Sequence, residues 1–260
     1  MDIDLLYIPM DEREKALENI RAALSRISNL IRKTIPGTRV QNTHEQSDAL
    51  RLIVQQGEIR IKIELSPVIR GTVFPVQRME VNELVEKNFG YVEMQVASFP
   101  DLYAGKLCAA LDRQHPRDLF DVKFLFDNEG LTDDLRKTFL VFLISHQRPM
   151  SELLNPHLKD IRDIYATEFV QMAQEDVPVE ELEKIREKLI YNIHNQMTEG
   201  EKKFLLSFKA KAPDWSLLEM NNIAEIANLP SVRWKMLNLQ QMSGKKHAES
   251  LEELRRVLKL

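Results

Sequence analysis

The chain has 260 residues, a net charge of −4 and one cysteine, with 43% hydrophobic and 29% charged residues. This composition is that of an ordinary folded protein and excludes a disordered chain, while a single cysteine excludes an internal disulfide and a multi-cysteine zinc site. Because the sequence holds neither a signal peptide nor the roughly 18 consecutive apolar residues of a membrane helix, we expect a cytoplasmic protein.

The first predicted element is a β-strand in the apolar run "DIDLLYI" at residues 2–8. Side chains two residues apart on a strand point to the same face, so the carboxylates of Asp2 and Asp4 are expected side by side. Aspartate is a poor strand former, and two of them in one short strand work against propensity. This pattern favours a function for the pair.

The following segments predict a small sheet with helices packed on it. An apolar stripe predicts a helix over residues 11–33, and residues 47–65 predict a β-hairpin with its turn near Gly57. Further short strands are predicted at 74–81 and 91–96. We therefore expect an α+β fold that begins with a small mixed, mostly antiparallel sheet, in a first domain of residues 1–98.

From residue 99 onward the pattern is helical, which predicts a second, all-helical domain of residues 99–260. Short breaks rich in Pro, Gly, Asn and Asp separate the helical stripes. The predicted helices cover residues 102–111, 117–126, 131–144, 158–172, 179–193, 201–208 and 248–258.

Several common catalytic motifs are absent from the sequence. The six histidines never fall at the i, i+4 spacing of a helical zinc motif, and there is neither a Gly-x-Ser-x-Gly elbow nor a P-loop. No Gly-rich turn links a strand to a helix as a dinucleotide-binding fold requires. Hydrolase, zinc and dinucleotide interpretations are therefore weak.

The carboxylates on the predicted strands are the remaining candidates for a catalytic site. Asp2 and Asp4 on one strand, with Glu64 on the polar face of another, are the hard oxygen ligands that a magnesium pair needs beside a triphosphate. Taken alone, Glu64 is better explained as part of a solvated strand face that it shares with Arg60 and Lys62.

A second group of charged residues lies in "FPDLYAGKLCAALDRQHPRDLFDVKFLF". Lys106 and Arg113 share a helix face, and Asp118 and Asp121 lie one turn apart on the next helix, where Arg117 could pair with Asp121. These charges could form only local salt bridges. They could equally form a site in which Lys106, Arg113 and Arg117 bind substrate phosphates, while Asp118 or Asp121 accepts a proton or orders Lys106 and Arg117.

The C-terminal residues 231–260 form a basic patch with seven Lys or Arg and three Glu, an excess of four positive charges. Because the whole chain is acidic, any attraction to nucleic acid must come from such a patch. A solvated helix face explains the charges as well as RNA binding does, and is favoured. The basic residues are Arg233, Lys235, Lys245, Lys246, Arg255, Arg256 and Lys259.

Three segments, "DIDLLYIP", "IRIKIEL" and "KLCAALDRQHPRDLFDV", resemble in this order segments of the AbiEii/AbiGii-type nucleotidyltransferase toxins, a branch of the DNA polymerase β-like nucleotidyltransferase superfamily. The late segment "LPSVRWKMLNLQQM" is similar to a C-terminal segment of that family. The resemblance extends over essentially the whole chain, and its most specific part runs from Lys106 to Asp121.

The resemblance implies a nucleotidyltransferase fold and a Mg²⁺-dependent transfer of a nucleotide from a nucleoside triphosphate to an RNA acceptor, such as the 3′ end of tRNA, or to a protein. It implies metal binding by Asp2, Asp4 and Glu64, with Glu64 also orienting or deprotonating the attacking hydroxyl. The family's lysine corresponds to Lys106, and its acidic motif to Asp118 and Asp121. Such proteins are toxins of toxin–antitoxin or phage-defence pairs, so a cognate antitoxin without a tight complex is expected.

The sequence departs from the superfamily pattern at its start. That pattern has a helix and a Gly-Gly or Gly-Ser turn before the Asp pair, whereas here Met1 directly precedes Asp2. We therefore expect an N-terminally truncated chain that is weak or inactive as it stands. The alternative is a non-catalytic RNA- or protein-binding module on a degenerate nucleotidyltransferase fold.

Overall fold

The computed structural model describes residues 2–42 and 50–260. Two compact units are distinguished: one runs to Thr72 and includes Leu229–Ser231, and the other comprises Val73–Asn228 and Val232–Leu260. The predicted α+β class is confirmed, since a mixed sheet is followed by helices. The predicted domain boundary after residue 98 stays a prediction. Within the described ranges, no helix combines the length and the apolar character needed to span a membrane.

The first unit is a four-stranded sheet with one long helix. Its elements are β1 (Asp2–Tyr7), α1 (Arg13–Thr34), β2 (Arg39–Asn42), β3 (Arg51–Gln56) and β4 (Ile59–Arg70). The strand order is β1-β4-β3-β2, with β1 parallel to β4 and the other pairs antiparallel. The predicted mixed, mostly antiparallel sheet is confirmed, although residues 47–49 of the predicted hairpin lie outside the described part of the chain.

Alternation along the strands decides which face of this sheet is buried. Ile63 and Leu65 of β4 pack with Leu52 of β3, and Ile20 and Leu24 of α1 belong to the same apolar cluster. Burying an aliphatic side chain of this size stabilises the fold by roughly 2 kcal/mol. Because β-strand side chains alternate, Lys62 and Glu64 are turned to the opposite face. The hydrophobic pattern of β4 therefore fixes where its charged residues can act.

Hydrogen bonds hold the end of β1 to the start of α1. The Tyr7 hydroxyl donates to Asp11 Oδ2 at 2.5 Å, and Asn19 Nδ2 donates to Tyr7 Oη at 2.9 Å. From β4, Arg70 Nη1 donates to the Asp11 carbonyl at 3.0 Å. These contacts fix the C-terminal end of the strand that carries Asp2 and Asp4.

The second unit begins with a two-stranded antiparallel sheet of β5 (Gln77–Glu80) and β6 (Glu93–Val96), between which lies α2 (Glu83–Phe89). Every residue of β5 is exposed and α2 buries none. Met79 and Met94 are paired across the two strands and are each about half exposed, and the side chain of Phe89 is 83% exposed. This segment, residues 77–96, is the exposed hairpin of the second unit.

The rest of the second unit is helical, as predicted. Its core includes the fully buried side chains of Leu107, Phe139, Leu189, Phe204 and Phe208, which belong to four of the long helices. The helices are α3 (Phe99–Asp112), α4 (Pro116–Asn128), α5 (Asp133–Ser145), α6 (Met150–Leu154), α7 (Arg162–Glu168), α8 (Val179–Gln196), α9 (Glu199–Lys209), α10 (Ile223–Ala227), α11 (Pro230–Gln241) and α12 (Gly244–Leu258), with a 3₁₀ turn at Trp215–Leu218.

The helix predicted at 158–172 is shorter, because a buried polar network holds the chain before it in a non-helical path. Gln114 Nε2 donates to the His157 carbonyl at 2.8 Å, and Gln114 Oε1 accepts from the Lys159 N–H at 3.0 Å. Arg186 Nη1 donates to Gln114 Oε1 and to the Lys159 carbonyl at 2.9 and 2.7 Å. These bonds satisfy backbone groups that a helix would otherwise use, so α7 begins only at Arg162.

Candidate active site

The predicted strand carboxylates are brought together by the pairing of β1 with β4. Asp4 lies opposite Glu64, and Asp2 lies opposite Lys62. Residues opposite each other on paired strands present their side chains to the same face. Asp2, Asp4 and Glu64 therefore share the sheet face opposite to α1, and the side chains of Asp2 and Glu64 are 55% and 37% exposed.

The positive charge that two neighbouring aspartates require is supplied by Lys62. Its Nζ lies 3.2 Å from Asp2 Oδ2 and 3.1 Å from Glu64 Oε2. The hydrogen bond to Glu64, followed by that to Asp2, raises the pKa of Lys62. Arg51 Nη1 lies 3.8 Å from the other Glu64 oxygen. The carboxylates on this face are thus partly neutralised by cations of the sheet itself.

The oxygen ligands on this face fit a magnesium ion. In residues 2–42 and 50–260, no group of three or more His, Cys, Asp and Glu side chains is arranged as a preformed metal cage. Mg²⁺ commonly needs only one or two carboxylates, with water and substrate phosphates completing its shell. The exposed carboxylates of Asp2 and Asp4 meet that requirement, and Lys62 is a competitor for the oxygens of Asp2 and Glu64.

The second group of predicted residues lies on α3 and α4 of the second unit. The Ser98 hydroxyl accepts a hydrogen bond from the Asp101 N–H and so caps α3. His115 Nδ1 accepts from the Arg117 N–H at 3.2 Å and caps α4, whose first residue is Pro116. These local signals end one helix and start the next within a few residues, which brings Lys106 and Asp121 to facing positions.

Lys106 and Asp121 form an ion pair between the two helices. Both side chains are about one-third exposed, and Lys106 Nζ also lies 6.0 Å from the centroid of the Tyr103 ring. The ammonium is therefore oriented by a carboxylate and remains accessible. This arrangement suits a cation that binds a phosphate group.

Arg113 and Asp118 form a two-pronged pair beside it. Arg113 Nε donates to Asp118 Oδ2 at 3.0 Å, and Arg113 Nη2 donates to Asp118 Oδ1 at 2.6 Å. The Asp118 side chain is only 12% exposed, whereas that of Arg113 is 65% exposed. Two parallel bonds fix the plane of the guanidinium group while leaving its outer edge accessible.

Arg117 has a different partner from the one expected. Its Nη2 lies 3.8 Å from Glu168 Oε2, which is also 3.2 Å from His115 Nε2. The expected pairing of Arg117 with Asp121 is not formed, because Asp121 is engaged by Lys106. Glu168 was not identified from the sequence, since it lies far along the chain, at the end of α7.

Lys62 was also not identified as a site residue, although its spacing offered a signal. It lies two residues before Glu64 on one strand, so the two side chains share a face. That Lys106 faces the strand carboxylates stays a prediction.

Comparison with known proteins agrees with the segments recognised in the sequence. The family model described as "Nucleotidyl transferase AbiEii toxin, Type IV TA system" matches residues 1–236. Searches of curated proteins and of solved structures found no match. A family match over this length includes both groups of charged residues. The chain therefore belongs to the AbiEii family of nucleotidyl transferase toxins of type IV toxin–antitoxin systems.

Proposed function

We propose that this protein transfers a nucleoside monophosphate from a nucleoside triphosphate to an RNA acceptor, such as the 3′ end of tRNA, in a Mg²⁺-dependent reaction. The observation that carries the proposal is the ion pair between Lys106 and Asp121 on facing helices, within the residues that the family model matches. A protein acceptor would use the same chemistry.

In the proposed reaction, a hydroxyl oxygen of the acceptor forms a bond to the α-phosphorus, and the bond to the pyrophosphate leaving group breaks. Asp2 and Asp4 would hold Mg²⁺, which supplies positive charge next to the phosphate oxygens. Glu64 lies opposite Asp4 and would orient the attacking hydroxyl and accept its proton. Glu64 is accessible enough for this role, with its side chain 37% exposed.

The charged residues of α3 and α4 would bind the triphosphate. Lys106 donates to a phosphate oxygen while Asp121 holds its ammonium in place, and Arg113, oriented by Asp118, offers its outer edge to a second oxygen. Arg117, exposed near Glu168, adds positive charge. Positioning and charge stabilisation are the principal requirements of nucleotidyl transfer, because bond making and breaking occur within the substrates.

The partner we propose is a cognate antitoxin that acts without forming a tight complex. The family description places such toxins in type IV systems. A role of this toxin–antitoxin pair in defence against phage is part of the same proposal.

Label transfer tests the activity directly. The full chain is incubated with Mg²⁺, α-labelled nucleoside triphosphates and bulk tRNA, and labelled RNA is measured with and without a chelator. We expect transfer that Asp4→Asn lowers by about 100-fold or more, since it removes a charge close to the reacting phosphate. Glu58→Gln, at the exposed turn of the β3–β4 hairpin, is the control. Transfer that is the same in Asp4→Asn as in the unmodified protein contradicts the proposal.

A non-catalytic binding module is the second candidate, favoured by the position of Lys62. An ammonium that contacts both Asp2 and Glu64 could replace a metal ion permanently. This candidate predicts no label transfer under any metal, together with tRNA binding that is indifferent to Mg²⁺ and to Asp4→Asn.

A further inference from the structure

The basic patch at residues 231–260 contains both cations that form ion pairs and cations that do not. Arg255 lies 3.5 Å from Glu252, and Arg256 is paired with Glu253, so these two cations are neutralised along α12. Lys245 and Lys246, at the other end of α12, have no ion-pair partner among the described residues. Among the described residues, uncompensated positive charge along α12 therefore lies at its start, on Lys245 and Lys246, and at its C-cap, Lys259, where the helix dipole favours a cation.

The start of α12 is an unfavourable place for cations. Its N-cap, Ser243, makes no side-chain cap, and its first turn contains Lys245 and Lys246 but no acidic residue. A helix N-terminus carries a partial positive charge, so lysines there are destabilising, whereas an anion is stabilised by the free N–H groups. A bound anion at this position would offset the unfavourable charge of the two lysines.

The end of α9 adds a buried lysine to the same place. His247 Nε2, in the first turn of α12, lies 2.7 Å from the carbonyl oxygen of Lys209, the last residue of α9. Lys209 is only 7% exposed, and no carboxylate in the described chain pairs with it. Burial lowers the pKa of Lys209, and the charges of Lys211 and Lys246 lower it further.

Lys235, another lysine of the basic patch, is held by backbone carbonyl oxygens. Lys235 Nζ donates to the carbonyl oxygens of Gln147 and Arg148, both at 3.3 Å, and to that of His146. Burial lowers the pKa of Lys235, and the charge of Lys209 contributes. The carbonyl oxygens satisfy the ammonium of Lys235, whereas Lys209 is buried without a counter-charge among the described residues, which costs free energy that a bound anion would offset.

We propose that Lys209, Lys211 and Lys246, together with the first turn of α12, form a phosphate-binding site that takes the phosphodiesters of an RNA strand or a free polyphosphate. The site shares no residue with the strand carboxylates or with the charged residues of α3 and α4. It goes beyond the proposed function, because a protein that binds RNA without modifying it would carry the same site.

The proposal is tested by measuring the binding of two ligands to the full chain. Bulk tRNA represents an RNA strand, and pyrophosphate represents a free polyphosphate. Bulk tRNA is titrated by fluorescence anisotropy at several salt concentrations, and pyrophosphate by calorimetry. The variants are Lys209→Met, Lys246→Met and the double variant, with Lys203→Met as control, because Lys203 is an exposed lysine elsewhere on α9. We expect the double variant to weaken binding about tenfold near 0.1 M salt and to lower the salt slope by about two for tRNA.

Loss of tRNA binding alone identifies an RNA strand as the source of the phosphate, and loss of pyrophosphate binding identifies a free polyphosphate. Lys209→Met should also raise the melting temperature of the ligand-free protein, because it removes a buried charge from among like charges while keeping the length of the stem. If both ligands bind folded variants as they bind the unmodified protein, the proposal is overturned. Lys246 is exposed, so Lys246→Met carries the test even where Lys209→Met fails to fold.

Discussion

Lys106 and Asp121, 15 residues apart in the chain, meet as an ion pair between α3 and α4. If Lys106 binds the triphosphate, Lys106→Met should raise the KM for nucleoside triphosphate at least about tenfold, because a charge-assisted bond to phosphate is lost. Steady-state label transfer measures this. Lys123→Met is the matched control, since Lys123 pairs with Asp127 at 2.6 Å on the same helix hairpin. An unchanged KM for Lys106→Met contradicts the assigned role.

Replacing Lys62 should strengthen metal binding. Lys62→Met removes the ammonium that contacts Asp2 and Glu64, so a divalent cation no longer competes with it. We expect the affinity for Mn²⁺ to rise about fivefold, equivalent to roughly 1 kcal/mol of Coulomb attraction at an exposed site. Electron paramagnetic resonance of bound Mn²⁺ provides the measurement, with Arg60→Met on the same strand as control. Equal Mn²⁺ affinities would show that these carboxylates do not hold the metal.

The buried pair of Arg136 and Glu201 should be important for stability. Arg136 Nε lies 3.0 Å from Glu201 Oε2, and the two side chains are only 8% and 2% exposed. Glu201→Gln removes the buried counter-charge of Arg136 and leaves only the exposed carboxylate of Asp133, 2.7 Å from Arg136 Nη1, so we expect the free energy of unfolding to fall by about 3 kcal/mol. Urea denaturation measures it. The exposed pair of Glu199 with Lys202 is the comparison, and Glu199→Gln should cost less than about 1 kcal/mol.

Stability should rise with pH above pH 8. Burial, with the charge of Lys209 as a smaller cause, lowers the pKa of Lys235 to about 8. An unfolded lysine has a pKa of about 10.4, so above about pH 8 the unfolded state binds more protons than the folded state, and the free energy of unfolding increases. Urea denaturation at intervals between about pH 7 and pH 9.5 should show this increase. The slope should flatten in Lys235→Met, and an equal slope would place its origin elsewhere.

Local patterns in the sequence were sufficient for the elements with strong periodicity. The alternation of Ile61, Ile63 and Leu65 predicted β4, and the apolar stripe of residues 11–33 predicted α1 to within two residues at its start and one at its end. The strand β2 was missed because Val40 is the only apolar residue in it. The short α7 reflects the network around Gln114 and Arg186, which joins residues distant in the chain and leaves no local signal.

The sequence indicated which charged residues belong to the candidate site. It did not indicate which residues they would contact. The acidic strand and the helix hairpin could be recognised from spacing and resemblance, because these are local features. That Asp4 lies beside Glu64 depends on the parallel pairing of β1 with β4, which no periodicity specifies. The pairing of Arg117 with Glu168 likewise depends on how α7 packs near the start of α4.

The exposed hairpin at residues 77–96 has a consequence for the motions of the molecule. Since α2 buries no residue and β5 is wholly exposed, separating β5 from β6 uncovers little additional apolar surface. The backbone hydrogen bonds between β5 and β6 can therefore break in a local opening, whose free-energy cost is much lower than that of global unfolding. Amide hydrogens in this segment would exchange with deuterium well before those of α3 and α5, whose buried side chains expose only when the whole unit unfolds.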